Sequence, residues 1–355
     1  MDNLTHSLVG ALIGQAGLKK KTGLAMPALI IGANVPDVDA ACFFWLEGVE
    51  HLGFRRGITH GPPALVLLPL ILAGLLYGFD RWQAKRGKRP EDRLPVNFKW
   101  LFLLSFIGCL THPALDWLNV YGIRLLEPFS SQWFYGDTLF IIDVWLWALT
   151  GFATWFSLRR EKRGGEWKRP ARVAIAVALA YIGLNWGMSE YAETQGTKLA
   201  RHAYGLEPTL VVASPPPIKW WEREILWRWE EREETHFGFF YGDGKFSALG
   251  EFYLNDFAYD SNRVVTFDDP ARPRGAIGHA RVSRIKPLDL ECMLQSNTEF
   301  RAYWFWSRMP IFWGGYEQDD YPYVTDQRFM DPRAEDRFRV EMGPPECITP
   351  HYDFN

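Results

Sequence analysis

Long apolar runs dominate the first half of the chain. Residues 64–79 (ALVLLPLILAGLLYGF) and 173–188 (VAIAVALAYIGLNWGM) hold no charged residue, and residues 101–118 and 139–158 hold one acid each. At 1.5 Å rise per residue, runs of this length cover most or all of a hydrocarbon layer about 30 Å thick. Two weaker apolar segments precede them, 4–18 and 24–46, the second interrupted by Asn34-Val35-Pro36-Asp37-Val38-Asp39. A buried soluble helix explains one such run, not four. The pattern therefore predicts an α-helical polytopic membrane domain of about six segments over residues 1–190. The N-terminus does not read as a signal peptide, because its lysines follow the apolar run instead of preceding it.

From about residue 190 the apolar runs stop. Ser214-Pro215-Pro216-Pro217 reads as stiff, linker-like punctuation, and short aromatic-rich runs separated by turn signals follow it. Phe237–Tyr241 and Lys245–Leu249 flank Gly242-Asp243-Gly244, which predicts a hairpin. Residues 264–267, 300–306 and 337–341 also read as strands. Residues 191–355 are thus expected to form a β-rich soluble domain. Its Trp220, Trp221, Trp227 and Trp229 suit either a domain core or a surface at the lipid interface, and the burial tendency of aromatic side chains favours the core. Cys292 and Cys347 share this domain; the sequence leaves their pairing open.

The composition, 48% hydrophobic and 23% charged with a formal net charge of −3, excludes a basic nucleic-acid binder. Charge in the loops fixes an expected orientation. Seven Lys/Arg lie in 81–99, seven in 159–172 and three at Lys19–Lys21, against only Arg55, Arg56 and Arg124 in the alternate loops 47–62 and 119–138. Positive loops stay cytoplasmic. The chain is therefore expected to be a multi-pass protein of the cell inner (cytoplasmic) membrane, with its C-terminal domain extracytoplasmic.

Ionisable residues within a bilayer are costly and usually functional. Here they are His6, Asp37, Asp39, His60, His112, Asp116 and Asp143, and the expected topology puts all seven near the extracytoplasmic face. Independent scattering would divide them between the two faces. Three imidazoles and four carboxylates at one depth form a metal-ligand set suited to zinc, and also to manganese or iron. His112 and Asp116 stand i, i+4 on one helix face. Pro113 and Pro36 are expected to kink or break the backbone beside them, which membrane helices tolerate where they line a polar cavity. Each residue alone has a plainer reading. The His112/Asp116 pair suits a simple hydrogen bond, Asp143 a helix cap and Asp37 with Asp39 a turn. The convergence argues for the metal.

Five stretches carry a resemblance: Asp2-Asn3-Leu4-Thr5-His6-Ser7, Asn34-Val35-Pro36-Asp37-Val38-Asp39, Arg56-Gly57-Ile58-Thr59-His60, Thr111-His112-Pro113-Ala114-Leu115-Asp116 and Ile141-Ile142-Asp143. In this order they resemble the YdjM/YbcI-type membrane-bound metal-dependent hydrolases over about residues 1–190. Gly61 stands where the resemblance leads one to expect Ser. The order of His and Asp residues is also partly similar to that of zinc phospholipase C and P1 nuclease enzymes, which hold up to three zinc ions and cleave phosphoesters.

These readings lead to a membrane-embedded hydrolase of a lipid-associated phosphoester, with membrane lipid as its surroundings and one to three divalent ions, zinc foremost, as cofactor. His6, Asp37, His60, His112, Asp116 and Asp143 are the expected ligands. Asp39 is a ligand or general base, and Asp37 its partner in catalysis. Arg124 and Ser130, in the adjacent loop, are the expected substrate contacts. A transporter using the intramembrane acids, or a membrane-anchored sensor, are the competing readings.

Overall fold

The computed structural model describes residues 1–205, 207–232, 237–248, 251–254, 281–285, 287–313, 323–329, 335–342 and 347. The chain forms two compact units. The first comprises Met1–Ala41, Arg56–Gly187 and Pro217–Trp220; the second comprises Cys42–Arg55, Met188–Pro216 and Trp221–Asn355.

The first unit is helical. It contains α1 (Asn3–Gln15), α2 (Ala25–Gly32), most of a 3-10 helix (Val35–Phe44), a short 3-10 turn (Ile58–His60), α4 (Pro62–Lys85), α5 (Phe98–Trp117) and α6 (Val144–Lys162); α3 (His51–Phe54) belongs to the second unit. The long helix α7 (Lys168–Tyr204) gives its first part to the first unit and the rest to the second. Among the described residues, three helices are long and apolar enough to cross a membrane: α4, α5 and α7 over Lys168–His202. A fourth span is counted if α2 and Val35–Phe44, which meet at a 51° bend, are taken as one. The break, at residues 33–34, lies just before Pro36, which has no amide proton to carry the α-helical bonding on to Gly32. The segments expected at 4–18 and 139–158 are helical but fall short of this standard. With 13 residues, α1 is too short, and α6 ends in Arg159, Arg160, Glu161 and Lys162.

Close backbone approach sets the packing of this unit. Leu29, Ala25 and Ala28 of α2 are buried against Leu72, Ala73 and Leu76 of α4 and Leu101 and Leu104 of α5. A side chain at Gly108 of α5 would put its Cβ 2.5 Å from the Leu29 carbonyl oxygen, and one at Gly10 of α1 would come within 2.7 Å of the same atom. Only glycine lets both helices reach α2 at that turn.

Among its described residues, the second unit carries two small antiparallel sheets. The first holds β1 (Leu210–Ser214), β2 (Glu222–Arg232), β3 (Phe237–Ser247), β4 (Glu251–Leu254) and β5 (Arg281–Ile285), in the order β1-β2-β3-β4 with β5 also on β3. After α8 (Pro287–Ser296) and α9 (Thr298–Trp306), the second sheet runs β6 (Pro310–Trp313), β7 (Tyr323–Asp326), β8 (Val340–Glu341). The first sheet packs Ile225, Trp227 and Trp229 of β2 against Ala192 and Ala200 of α7. Trp227 also donates from Nε1 to the Gly196 carbonyl at 2.9 Å. Trp227 and Trp229 are therefore core residues, while Trp220 and Trp221 are half-buried. Cys292 and Cys347 form a disulfide.

Three strand expectations need correction or qualification. Gly242-Asp243-Gly244 is not a hairpin turn: β3 runs straight through it, with Gly242 opposite Trp227 and Gly244 opposite Ile225 on β2. Glycine leaves room there for the bulky residues of the neighbouring strand. Residues 300–306 form helix α9, not a strand. Asn297 caps it by accepting from the Phe300 amide at 2.8 Å, and Phe300, Tyr303 and Trp306 bury one helical face. The run 337–341 divides between a 3-10 turn (Glu335–Phe338) and β8. Residues 264–267 lie outside the described residues.

A buried ion pair stiffens the start of β6 and the end of β7. Asp326 accepts from Ser307 Oγ at 2.5 Å and from Arg328 Nε at 2.8 Å. Burial alone would raise its pKa, but the Arg328 guanidinium and these hydrogen bonds outweigh that and hold it at about 2.

Candidate metal centre

The site is assembled from four places in the first unit, each fixed by local chemistry. Asp2 caps α1 by accepting from the amides of Leu4 and Thr5, at 2.9 and 3.1 Å. Trp147 of α6 donates from Nε1 to Thr5 Oγ1 at 2.8 Å. This pins the first turn of α1, where His6 is fully buried. Asn34 ties the end of α2 back to α1 by donating to Ser7 Oγ at 3.0 Å, and Asp37 and Asp39 follow on the 3-10 helix. His60 closes the short turn before α4, and His112 and Asp116 occupy successive turns of α5, which continues past Pro113 to Trp117.

Among the described residues, ligand-bearing atoms converge in two groups that share one histidine: His6, His112 and Asp116, and Asp37, His60 and His112, with the potential ligand atoms of each group within 4.8 Å of one another. His112 Nε2 stands 3.5 Å from Asp116 Oδ2 and 3.7 Å from Asp37 Oδ1. His6 Nε2 is 3.4 Å from Asp116 Oδ1, and His60 Nε2 is 3.8 Å from Asp116 Oδ2. Asp116 thus turns one oxygen to His6 and the other to His60 and His112. The Met1 amino group also ion-pairs with Asp116 Oδ1. The rings of His6 and His112 stack with centroids 3.8 Å apart.

The surrounding hydrogen bonds set the tautomers. His112 Nδ1 meets the Ala33 carbonyl at 2.8 Å. A carbonyl only accepts, so Nδ1 carries the proton and Nε2 presents its lone pair. Thr59 Oγ1 donates to Asp39 Oδ2 at 3.1 Å and lies 2.9 Å from His60 Nδ1. Its single proton goes to the carboxylate, so His60 Nδ1 donates to the hydroxyl and Nε2 again carries the lone pair. Neither ring nitrogen of His6, nor Nε2 of His112, makes a hydrogen bond among the described residues. Buried polar atoms without partners are costly. A divalent cation held by lone pairs and carboxylates would satisfy them, and the donor set of imidazole and carboxylate fits zinc.

Of the seven expected ligands, five fall in the two groups. Asp39 sits beside them, 3.6 Å from His60 Nδ1. Asp143 joins neither group. It caps α6, accepting from the Leu146 amide at 2.8 Å and from the Tyr181 hydroxyl at 2.9 Å. Arg124 is buried and paired with Glu127 at 2.9 Å, and its amide donates to the Arg56 carbonyl at 3.0 Å. Ser130 lies in the following turn, where its hydroxyl accepts from the Gln132 amide. Gly61 has a steric reason: a side chain there would run into the Glu127 carbonyl.

Sequence reasoning passed over three residues that line this centre. Arg56 is buried with Nε 3.1 Å from Asp116 Oδ2, Thr59 links Asp39 to His60, and Asn119 accepts from Arg56 Nη1 at 3.1 Å. The available signal was adjacency, since Arg56 and Thr59 lie within four residues of His60 in one of the quoted motifs.

Known proteins share this half of the chain. The YdjM inner membrane protein family matches residues 1–192, which include every residue of the cluster. A protein of Bacillus subtilis (strain 168) described as uncharacterized protein YfhP is 27% identical over 167 residues, 44% of this chain and 47% of the relative. The chain thus spans about half the length of that relative. No solved structure matches it. With the match extending over more than half of the sequence, as its motifs led one to expect, the chain belongs to the YdjM inner membrane protein family.

Proposed function

We propose that this protein is a membrane-embedded, metal-dependent hydrolase that cleaves a phosphoester of a lipid or membrane-associated substrate. The observation that carries the reading is the buried meeting of His6, His60 and His112 with Asp37 and Asp116, the Nε2 lone pairs of His60 and His112 turned inward. A bound divalent ion, zinc foremost and one of one to three proposed for the site, would lower the pKa of a bound water from 15.7 to about 7 and polarise a phosphoryl oxygen. His6, His60, His112, Asp37 and Asp116 would hold it. Asp37 is the least buried of these carboxylates, which puts it on the side of the centre nearest to solvent. Asp39 Oδ2 accepts from the Arg56 amide and from Thr59, and so holds His60 in its tautomer. Arg124, buried and paired with Glu127, is the proposed phosphate contact, with Ser130 in the following turn.

The same reading places the centre at the extracytoplasmic face of a multi-pass inner-membrane protein. This reading counts α6 as a further span, because only then do the seven Lys/Arg of 159–172 share the cytoplasmic face with the seven of 81–99. The Cys292–Cys347 disulfide, favoured in an oxidising compartment, also supports it.

Elemental analysis of purified protein is the test, followed by a phosphoester and lipid substrate screen. The wild type is expected to carry a divalent transition metal, and His112→Ala and Asp116→Ala to lose most of it. Full occupancy in both variants would make the pair structural. Metal-loaded protein in native lipid that cleaves nothing in the screen would sink the hydrolase reading.

A further inference from the structure

Arg56 is a buried cation placed against the carboxylate that faces all three histidines. Its Nε lies 3.1 Å from Asp116 Oδ2, the oxygen directed at His60 and His112. The guanidinium is itself anchored from behind. Nη1 donates to Asn119 Oδ1 and to the Gly122 carbonyl, both at 3.1 Å, and the Tyr121 ring lies 4.4 Å from its central carbon. Asn119 Oδ1 in turn accepts from the Tyr121 amide at 2.9 Å, so the acceptor cannot swing freely. On the other side, the main-chain amide of Arg56 donates to Asp39 Oδ2 at 2.8 Å. That amide is presented by a left-handed backbone conformation, φ 54°, which a non-glycine residue seldom adopts.

We infer that Arg56 is a positioning residue of the metal centre: its guanidinium fixes the plane of Asp116, and its amide fixes Asp39, so that both carboxylates are set before an ion arrives. The role rests on the metal reading above and extends it. Three of the contacts of the guanidinium are to protein groups that hold it in place, which distinguishes it from a side chain reaching for substrate. The planar fork is what matters. Lysine, a point charge on a flexible stem, cannot bond Asp116, Asn119 and Gly122 together. Outer-shell partners of metal ligands orient them, and losing one typically lowers metal affinity about ten- to hundredfold.

The experiment uses full-length protein in detergent, stripped with a chelator and titrated with cobalt(II), whose visible spectrum reports ligand geometry. Arg56→Ala removes the guanidinium but keeps the main-chain bond to Asp39, and so isolates the arm to Asp116. Arg56→Ala and Arg56→Lys are both expected to bind cobalt about ten- to hundredfold more weakly, with an altered spectrum in the bound form. A role confined to folding would lower the melting temperature and leave the spectrum of the bound protein unchanged. Asn119→Ala keeps the charge but loosens its anchor; a smaller loss in the same direction is expected. Should Arg56→Ala fail to fold, Asn119→Ala with Arg56→Lys decides the matter. Wild-type or tighter affinity with an unchanged spectrum in the folded variants overturns the inference while leaving the metal centre standing. Absence of cobalt binding by the wild type overturns both.

Discussion

At the scale of single residues, geometry sorts carboxylates that look alike in the sequence. Asp116 turns its two oxygens toward different histidines, and Asp37 opposes His112. Asp143 instead satisfies the first turn of α6 and the Tyr181 hydroxyl. Losing a cap of this kind typically costs about 0.5–2 kcal/mol. Asp143→Ala is therefore expected to lower thermal stability by that order and to keep the metal content of the wild type, compared in the same detergent. A variant that melts normally but arrives without metal would return Asp143 to the ligand set.

At the scale of elements, the site depends on how closely α5 lies on α2. Gly108 sits one turn before His112, and a methyl group there would meet the Leu29 carbonyl oxygen at 2.5 Å and the Ala33 amide nitrogen at 3.0 Å. Both atoms are main chain and have little freedom to move. Gly108→Ala is expected to push the helices apart, costing about 1–3 kcal/mol by overpacking. It should also break the bond from His112 Nδ1 to the Ala33 carbonyl, which fixes the histidine tautomer. Thermal unfolding and metal content, measured together, check this. A fall in stability with metal fully retained would show that the contact serves packing alone. The elements also explain the strand errors: Asn297 and the spacing of Phe300, Tyr303 and Trp306 make a capped helix, although the run is rich in strand-forming aromatics.

At the scale of the whole molecule, a helical unit that carries the candidate centre is joined in one chain to a unit with two small sheets and a disulfide. The proposed orientation has a direct consequence: residue 355 lies outside the cytoplasm. A C-terminal reporter that works only in the cytoplasm is expected to stay silent, and one that works only outside it to be active. The reverse result would put the metal centre at the inner face and the cysteine pair in a reducing compartment, where such bonds are rare.

What the sequence settled by itself was whatever rests on local composition and order. Long apolar runs mark membrane helices because hydrocarbon solvates no charge, α2 stops just short of Pro36 because that ring offers no donor to continue it, and five motifs in order identify the family. The His and Asp residues were legible because ionisable side chains within or beside long apolar runs are rarely idle. Tertiary structure decided which of them meet. That depends on contacts between residues far apart in the chain, such as His112 with Ala33 and Asp116 with Arg56. It also depends on glycines that set the distance between helices, and no periodicity records a distance. Arg56 escaped notice for the same reason: as a residue it is one more loop cation, and only its burial against Asp116 gives it a role.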